Sequence, residues 1–407
     1  MATLLQINVC NNVYSTGKIV SGIGETAIRS GWESYIAYGR SFSPSKNKPI
    51  KIGSKFDINC HAIENRIFDN AGLGLGSRRA TQKLVEEIKR INPDIIHLHV
   101  LVGYYINLKV LFDYLRESQI SVVWTLHSCW EFTGHCTHFD YQGCSKWLTG
   151  CNHCPITKEY PESYIFDRSS INYIEKKNLF TSLPKLQLVA VSEWLNENVK
   201  KSFLKDIPCI VINNGVDVGI FKPADATDYL REKYNLSGCF VVLGVASTWT
   251  KKKGLEDYLR LSQILPSNIK LVLIGLTKDQ INKLPSTIIG VEKTKNLQEL
   301  IDWYSFATIV LNLSYEESFG LTTIEGYACG TPSIVYDRTA SPELIFDGTG
   351  YIAKAGDIKH VCQLIKKIID KGKNSFSRNC REIAEKKFDQ SKNYQLYIEL
   401  YKKILGI

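Results

Sequence analysis

Short apolar runs alternate along the chain with stretches whose apolar positions repeat at helical spacing. In Lys83 to Ile91, Leu84, Val85, Ile88 and Ile91 share one helical face, and Asn92-Pro93 ends the helix before the apolar run Asp94 to Val100. That is a helix feeding a buried strand. The same reading gives strands at Ser121 to Leu126 and Leu186 to Val191, then a helix at Trp194 to Phe203. A second series follows the turn-rich Asn213-Asn214-Gly215-Val216-Asp217, with strands at Phe240 to Ala246, Lys270 to Gly275, Thr308 to Leu313 and Ser333 to Tyr336. Such alternation predicts parallel sheets flanked by helices. Two series predict an α/β protein of two doubly wound, Rossmann-like domains with a seam near residues 209 to 224. Ligands of such folds lie beyond the carboxyl ends of the strands, so a cleft between the domains is the expected site. No self-similarity at solenoid periods argues for a repeat architecture.

The length of 407 residues suits two or three domains, and 44% hydrophobic with 22% charged residues is ordinary for a globular chain. The longest apolar runs, such as Phe240 to Ala246, fall far short of the roughly 18 to 20 residues of a membrane span. The start, Met-Ala-Thr-Leu-Leu-Gln-Ile-Asn-Val, lacks a basic n-region and a long apolar h-region, so it reads as a first strand. A cytoplasmic chain without a transmembrane helix is expected. The net charge of +9 can attract nucleotide phosphates, acidic lipid headgroups or nucleic acid. No recognised motif accompanies the third, so no nucleic-acid partner is expected. Lys200, Lys201 and Lys205 read as a solvated helix face.

The densest chemistry lies in Ser314-Tyr-Glu-Glu-Ser-Phe-Gly-Leu-Thr-Thr-Ile-Glu-Gly-Tyr-Ala-Cys-Gly-Thr-Pro332, which follows a strand and turns through Gly320 into a short helix ended by Gly330 and Pro332. Free N–H groups at that helix start, across Ser318, Phe319, Gly320, Leu321 and Thr322, suit a diphosphate. Glu317 precedes the turn and Glu325 sits inside the helix. The first can then face a sugar while the second reaches a ribose hydroxyl pair, which a carboxylate accepts well. Upstream are Val211-Ile-Asn-Asn-Gly-Val-Asp217 and, at a strand end, Ala246-Ser-Thr-Trp-Thr-Lys-Lys-Lys-Gly254.

The glutamate segment closely resembles the E-x7-E signature of family 4 retaining glycosyltransferases of GT-B fold, and the Asn-Gly-Val-Asp stretch resembles the segment joining that family's domains. The resemblance covers nearly the whole chain. It implies domains at 1–208 and 209–386 and a helix at 387–407 crossing back onto the first. It also implies a nucleotide diphosphate-sugar donor, with no cofactor needed for catalysis, and a glycan or lipid-linked glycan acceptor in polysaccharide biosynthesis. The family's phosphate-clamping lysine before glycine falls on Lys253. Its arginine position falls at or near Thr248, where Lys251 or Lys252 can compensate. The cations would stabilise charge developing on the leaving diphosphate. The glycine-bearing loop after the first strand falls on Thr16, Gly17 and Lys18, where a missing side chain lets backbone approach phosphate. His127, ending Ser121 to Leu126, falls where the family commonly positions the transferred sugar, although Ser128 stands in place of an aspartate. His97 and His99 alternate along a buried strand, so at most one is expected at the cleft. Gly72 to Gly76 reads as a flexible turn.

Five of the twelve cysteines crowd between Cys129 and Cys154. Cys136, Cys144, Cys151 and Cys154, ending in C-x2-C, suit tetrahedral structural zinc fastening an insertion at 129–155 that has no obvious core of its own. Reduced thiols and labile disulfides are the alternatives. Similar cysteine-bearing insertions occur in a bacterial subset of the family that assembles surface polysaccharide. No Asp-x-Asp offers a catalytic metal site. The missing arginine and aspartate motivate a second reading, a nucleotide-sugar-binding subunit without turnover; a zinc-dependent nucleic-acid module is a third. Peripheral attachment to the inner membrane face is compatible with a lipid-linked acceptor.

Overall fold

Every residue of β1 (Thr3–Asn8) except the first is buried, and the strand sits near the middle of a parallel sheet covered on both faces. Its companions are β2 (Glu33–Tyr38), β3 (Lys48–Lys51), β4 (Ile95–Leu98), β5 (Ser121–Leu126), β6 (Leu186–Ala190) and β7 (Cys209–Val211). The order is β3-β2-β1-β4-β5-β6-β7, with all neighbours parallel. The winding reverses between β1 and β4, where the carboxyl ends of adjacent strands leave room for a ligand. The computed structural model describes residues 1–70, 75–225 and 227–407. This first unit comprises Met1–Ile212 and Tyr394–Ile407, and the second comprises Asn213–Asn393.

The last helix, Gln390–Leu405, serves the first unit from Tyr394 onward. Tyr397, Ile398 and Tyr401 join Leu4, Ile19, Ile23, Val123 and Val189 in one core, each buried apolar side chain contributing roughly 1.5–3 kcal/mol. Gly22 makes the docking possible, because a Cβ there would lie 2.3 Å from the Tyr394 ring.

The second unit contains β8 (Phe240–Val245), β9 (Ile269–Ile274), β10 (Ile288–Val291), β11 (Ile309–Asn312), β12 (Ser333–Tyr336) and β13 (Gly350–Ala353). Their order, β10-β9-β8-β11-β12-β13, is again parallel and doubly wound. Both sheets therefore have the architecture expected from strand and helix alternation. Among the described residues no helix is long and apolar enough to cross a membrane.

Two expectations change. His97 and His99 do not point to opposite sides: residues two apart on a strand share a face, and their rings lie 3.9 Å apart, both fully buried. The cysteine insertion does have a core. Phe139 stacks on Trp147 at 4.6 Å and Phe132 meets Trp147 at 5.2 Å. Cys136, Cys144, Cys151 and Cys154 line one small pocket beside these rings. All four are free thiols, and no group of three or more His, Cys, Asp or Glu side chains among the described residues is disposed to hold a metal ion. The nearby His135 is engaged elsewhere, its Nδ1 lying 2.7 Å from Asp69. Burial pushes the Cys136 thiol up to about 12 and Cys154 up to about 11, which keeps them protonated and unreactive. Aromatic packing thus gives the insertion a core of its own, beside the pocket on which the four cysteines converge. Of the glycine-rich turn at 72–76, residues 72–74 lie outside the described residues.

Candidate functional site

After β8, the chain turns through Thr250 to Gly254. Thr250 Oγ1 accepts from Lys253 N at 3.4 Å, and Gly254 adopts φ +74°. A Cβ at Gly254 would stand 2.2 Å from the Leu313 carbonyl oxygen. Glycine is therefore required twice over, by its conformation and by the approach of the segment after β11. That approach is locked by Tyr315 N donating to Lys252 O at 2.8 Å.

The consequence is a matched set of charges. Lys253 Nζ lies 2.6 Å from Glu317 Oε1, and Lys252 Nζ lies 2.9 Å from Glu316 Oε2. Lys251, the most exposed of the three, pairs with Glu256 at 3.0 Å. Two expected site residues, Lys253 and Glu317, are thus in direct contact, with side chains 34% and 17% exposed. The pair is accessible enough for an anion to compete for the ammonium. Glu317 is fixed from behind, its N–H donating to Thr339 Oγ1 at 2.9 Å. Thr248 stands exposed just before the turn.

Gly320, at φ +107°, starts the helix Leu321–Ala328. Ser318, Leu321 and Thr322 are half-buried there, with the helix N-terminus directed toward the strand end that anions favour. The Phe319 ring is buried against Phe388 at 5.8 Å, so what Phe319 can offer a ligand is its backbone. Glu325, one turn into the helix, accepts from the Tyr304 hydroxyl at 2.7 Å. Tyr304 is fully buried, and burial beside the Glu325 carboxylate raises its phenol well above the usual range. It therefore acts as a fixed donor that orients the carboxylate. Nothing local in the sequence singles out Tyr304, because its partner is 21 residues away.

In the first unit, Thr16, Gly17 and Lys18 lie in the opening turn of the helix Tyr14–Arg29 rather than in a loop. A Cβ on Gly17 would lie 3.3 Å from Asn12 N and 3.4 Å from Cys10 Cβ. The chain's own turn thus accounts for this glycine. Lys18 is exposed and Thr16 half-buried.

His127 follows β5, half-buried, with Nε2 3.3 Å from His99 Nδ1. Burial pushes its imidazole down to about 4, so it is neutral near pH 7 and unsuited to acid catalysis. Ser128 Oγ donates to Glu131 Oε2 at 3.3 Å, replacing any acid at that position. Glu131 and Lys176 form a buried polar centre that sequence reasoning misses. Lys176 Nζ donates to the carbonyls of Trp130 at 2.8 Å and Thr133 at 3.1 Å, and lies 3.6 Å from the Trp130 ring centroid.

Residues 20–219 match the family model described as Glycosyltransferase Family 4, and residues 227–387 match Glycosyl transferases group 1. The chain is 28% identical over 230 residues to the putative colanic acid biosynthesis glycosyl transferase WcaC of Escherichia coli K12, covering 53% of this chain and 55% of WcaC. The match thus spans about half the length of that relative. Sucrose-phosphate synthase from Thermosynechococcus elongatus is 17% identical and superposes with a TM-score of 0.73 over 100% of both chains. Anabaena HepE, solved in complex with UDP, is 15% identical with a TM-score of 0.68, over 99% of this chain and 100% of HepE. At these identities the likeness concerns the fold.

Proposed function

This chain belongs to glycosyltransferase family 4 and has the GT-B fold, and we propose that it moves a sugar from a nucleotide diphosphate-sugar to a glycan or lipid-linked glycan in polysaccharide biosynthesis. The observation that carries this reading is the contact between Lys253 and Glu317 beside the helix start at Gly320. A cation, a carboxylate and the opening backbone amides of a helix meet there at strand ends. HepE, which shares the fold, was solved with UDP, which supports a nucleoside diphosphate as the ligand.

In this reading the Gly320 to Thr322 amides and Lys253 hold the diphosphate, with Lys252 as second cation. Glu325 takes the ribose hydroxyls on a carboxylate set by Tyr304. Glu317 orients the sugar. The transfer is retaining and front-face: the bond from the anomeric carbon to the diphosphate loosens, and an oxocarbenium-like sugar forms. The acceptor hydroxyl then attacks from the side the phosphate leaves, and a phosphate oxygen takes its proton. No protein nucleophile is required. Lys253 and the amides stabilise the charge that grows on the leaving group, an effect for which single donors are worth on the order of 10² to 10³ in rate. We place this work in the cytoplasm, at the inner membrane face when the acceptor is lipid-linked.

The test is donor turnover by Lys253→Ala and Glu325→Ala at unchanged folding. A fall of about a hundredfold or more in each is expected; undiminished turnover in both removes the donor-site assignment.

A further inference from the structure

We propose that Gln6 and His99 are positioning residues that hold His127 in a single tautomer, with the proton on Nε2 and the lone pair on Nδ1. The imidazole at the end of β5 then accepts a hydrogen bond from a substrate hydroxyl. The last step rests on the function proposed above; the tautomer itself does not.

A fully buried amide on β1 heads the relay. Gln6 Nε2 donates to the Val20 carbonyl at 2.9 Å. This contact fixes the amide orientation, since the flipped form would set two acceptor oxygens against each other. Gly24 makes room for the amide: a Cβ there would sit 2.8 Å from Gln6 Nε2. Gln6 Oε1 therefore faces His99 Nε2, at 3.2 Å. A carboxamide oxygen only accepts, so His99 must carry its proton on Nε2.

His99 is fully buried, and both burial and the neighbouring His97 and His127 hold its imidazole well below the ordinary range. A neutral ring protonated on Nε2 has a bare Nδ1. That atom lies 3.3 Å from His127 Nε2, so His127 must be the donor. His127 is itself neutral, and its remaining nitrogen, Nδ1, is left as an acceptor.

The relay crosses β1, β4 and β5, which are consecutive in the sheet, and the backbone of its middle member is held from both sides. The His99 carbonyl accepts from Trp124 Nε1 at 2.9 Å, and its N–H donates to Ile7 O at 3.0 Å. His97 imposes no direction, because its partners are hydroxyls, Tyr401 at 2.5 Å and Thr125 at 2.8 Å, which can donate or accept. The group that meets His127 must therefore be a donor, as a sugar hydroxyl is; an ether oxygen or fluorine in that place would leave the lone pair opposed.

The experiment uses the full chain with 15N-labelled histidine and long-range proton–nitrogen correlation at pH 7. The eight histidines give a tractable spectrum, with His127 assigned by its loss in His127→Asn. Expected in the wild type are His99 and His127 each as the single Nε2-protonated tautomer. Gln6→Met removes the acceptor at the head of the relay and should yield mixed tautomers at both rings. A wild-type His127 protonated on Nδ1, or on both nitrogens, overturns the proposal without recourse to any variant. A single unchanged tautomer in folded Gln6→Met overturns the positioning role. His127→Asn places Oδ1 near the former Nδ1 and should keep a lower donor KM than His127→Gln. If the tautomer is found but no nucleotide-sugar is turned over, the proposed function fails while the relay stands.

Discussion

Acidification from pH 6.5 toward 4 should unfold the first unit more steeply than its carboxylates alone would. His61, His97, His99 and His127 all belong to that unit. Burial takes His61 and His127 down to about 4, and His97 and His99 well below the ordinary value. In the unfolded chain each would titrate near 6.5. A depressed folded-state value means stability is complete above pH 6.5 and is lost as pH falls toward 4, because the unfolded chain binds protons the native one refuses. Glu131 works the other way. Burial raises its carboxyl to about 7, so between about pH 4.5 and 7 the native state holds a proton the unfolded one lacks. Lys176, pushed down to about 7, is charged in both states below pH 6 and adds nothing there. Near pH 5.5 the difference is about three protons, or at most about 4 kcal/mol per pH unit, and about two-thirds of that if water lets the half-buried His127 ring titrate normally. Against a typical stability of about 5–15 kcal/mol this is large. Urea midpoints read by tryptophan fluorescence at half-unit pH steps measure it, since five of the seven tryptophans (32, 124, 130, 147 and 194) lie in this unit. His61→Asn keeps an acceptor or donor for Ser77 Oγ, now 2.6 Å from Nδ1, and should flatten the slope by about one proton. A midpoint constant between pH 6.5 and 5, or a slope untouched in His61→Asn, would refute the reasoning.

Gly254→Ala should destabilise the second unit by about 2–4 kcal/mol, combining a left-handed backbone with a clash against Leu313 O, and lower its urea midpoint. Lys176→Met should cost about 3 kcal/mol in the first unit, since the carbonyls of Trp130 and Thr133 lose their donor and Glu131 loses the nearby Lys176 charge; a change under about 1 kcal/mol by chemical denaturation would contradict this. Tyr304→Phe should leave the fold intact and weaken nucleoside diphosphate binding about tenfold by calorimetry, because the Glu325 carboxylate loses its fixed donor.

How much could be read in advance follows from what makes each element. β8 and the apolar stretches Leu271–Ile274 of β9 and Ile309–Leu311 of β11 announce themselves because both faces are covered. β3, Lys-Pro-Ile-Lys at a sheet edge and mostly exposed, carries no such run, and Pro49 there even argues against a strand. The helix at Tyr14 begins without a capping side chain, so nothing marks its start, and Gly17 reads as a loop glycine although it packs inside a helix. The acidic pair and the lysine turn were legible because their residue spacing is local. Their pairing was not, since Lys253 and Glu317 are 64 residues apart. The insertion's core rests on Phe132, Phe139 and Trp147, whose spacing follows neither strand nor helix, which is why cysteines rather than aromatics stood out. The histidine relay draws on three separate strands and has no signature along the chain.

The central claim is that Lys253, Glu325 and the helix start at Gly320 hold a nucleoside diphosphate. Calorimetric titration of the full chain with a panel of nucleoside diphosphates tests it most directly. Selective binding of one of them is predicted, weakened at least tenfold in Lys253→Ala and in Glu325→Ala while their urea midpoints stay near that of the wild type. Wild-type affinity in both folded variants, or no binding to any member of the panel, would contradict the account.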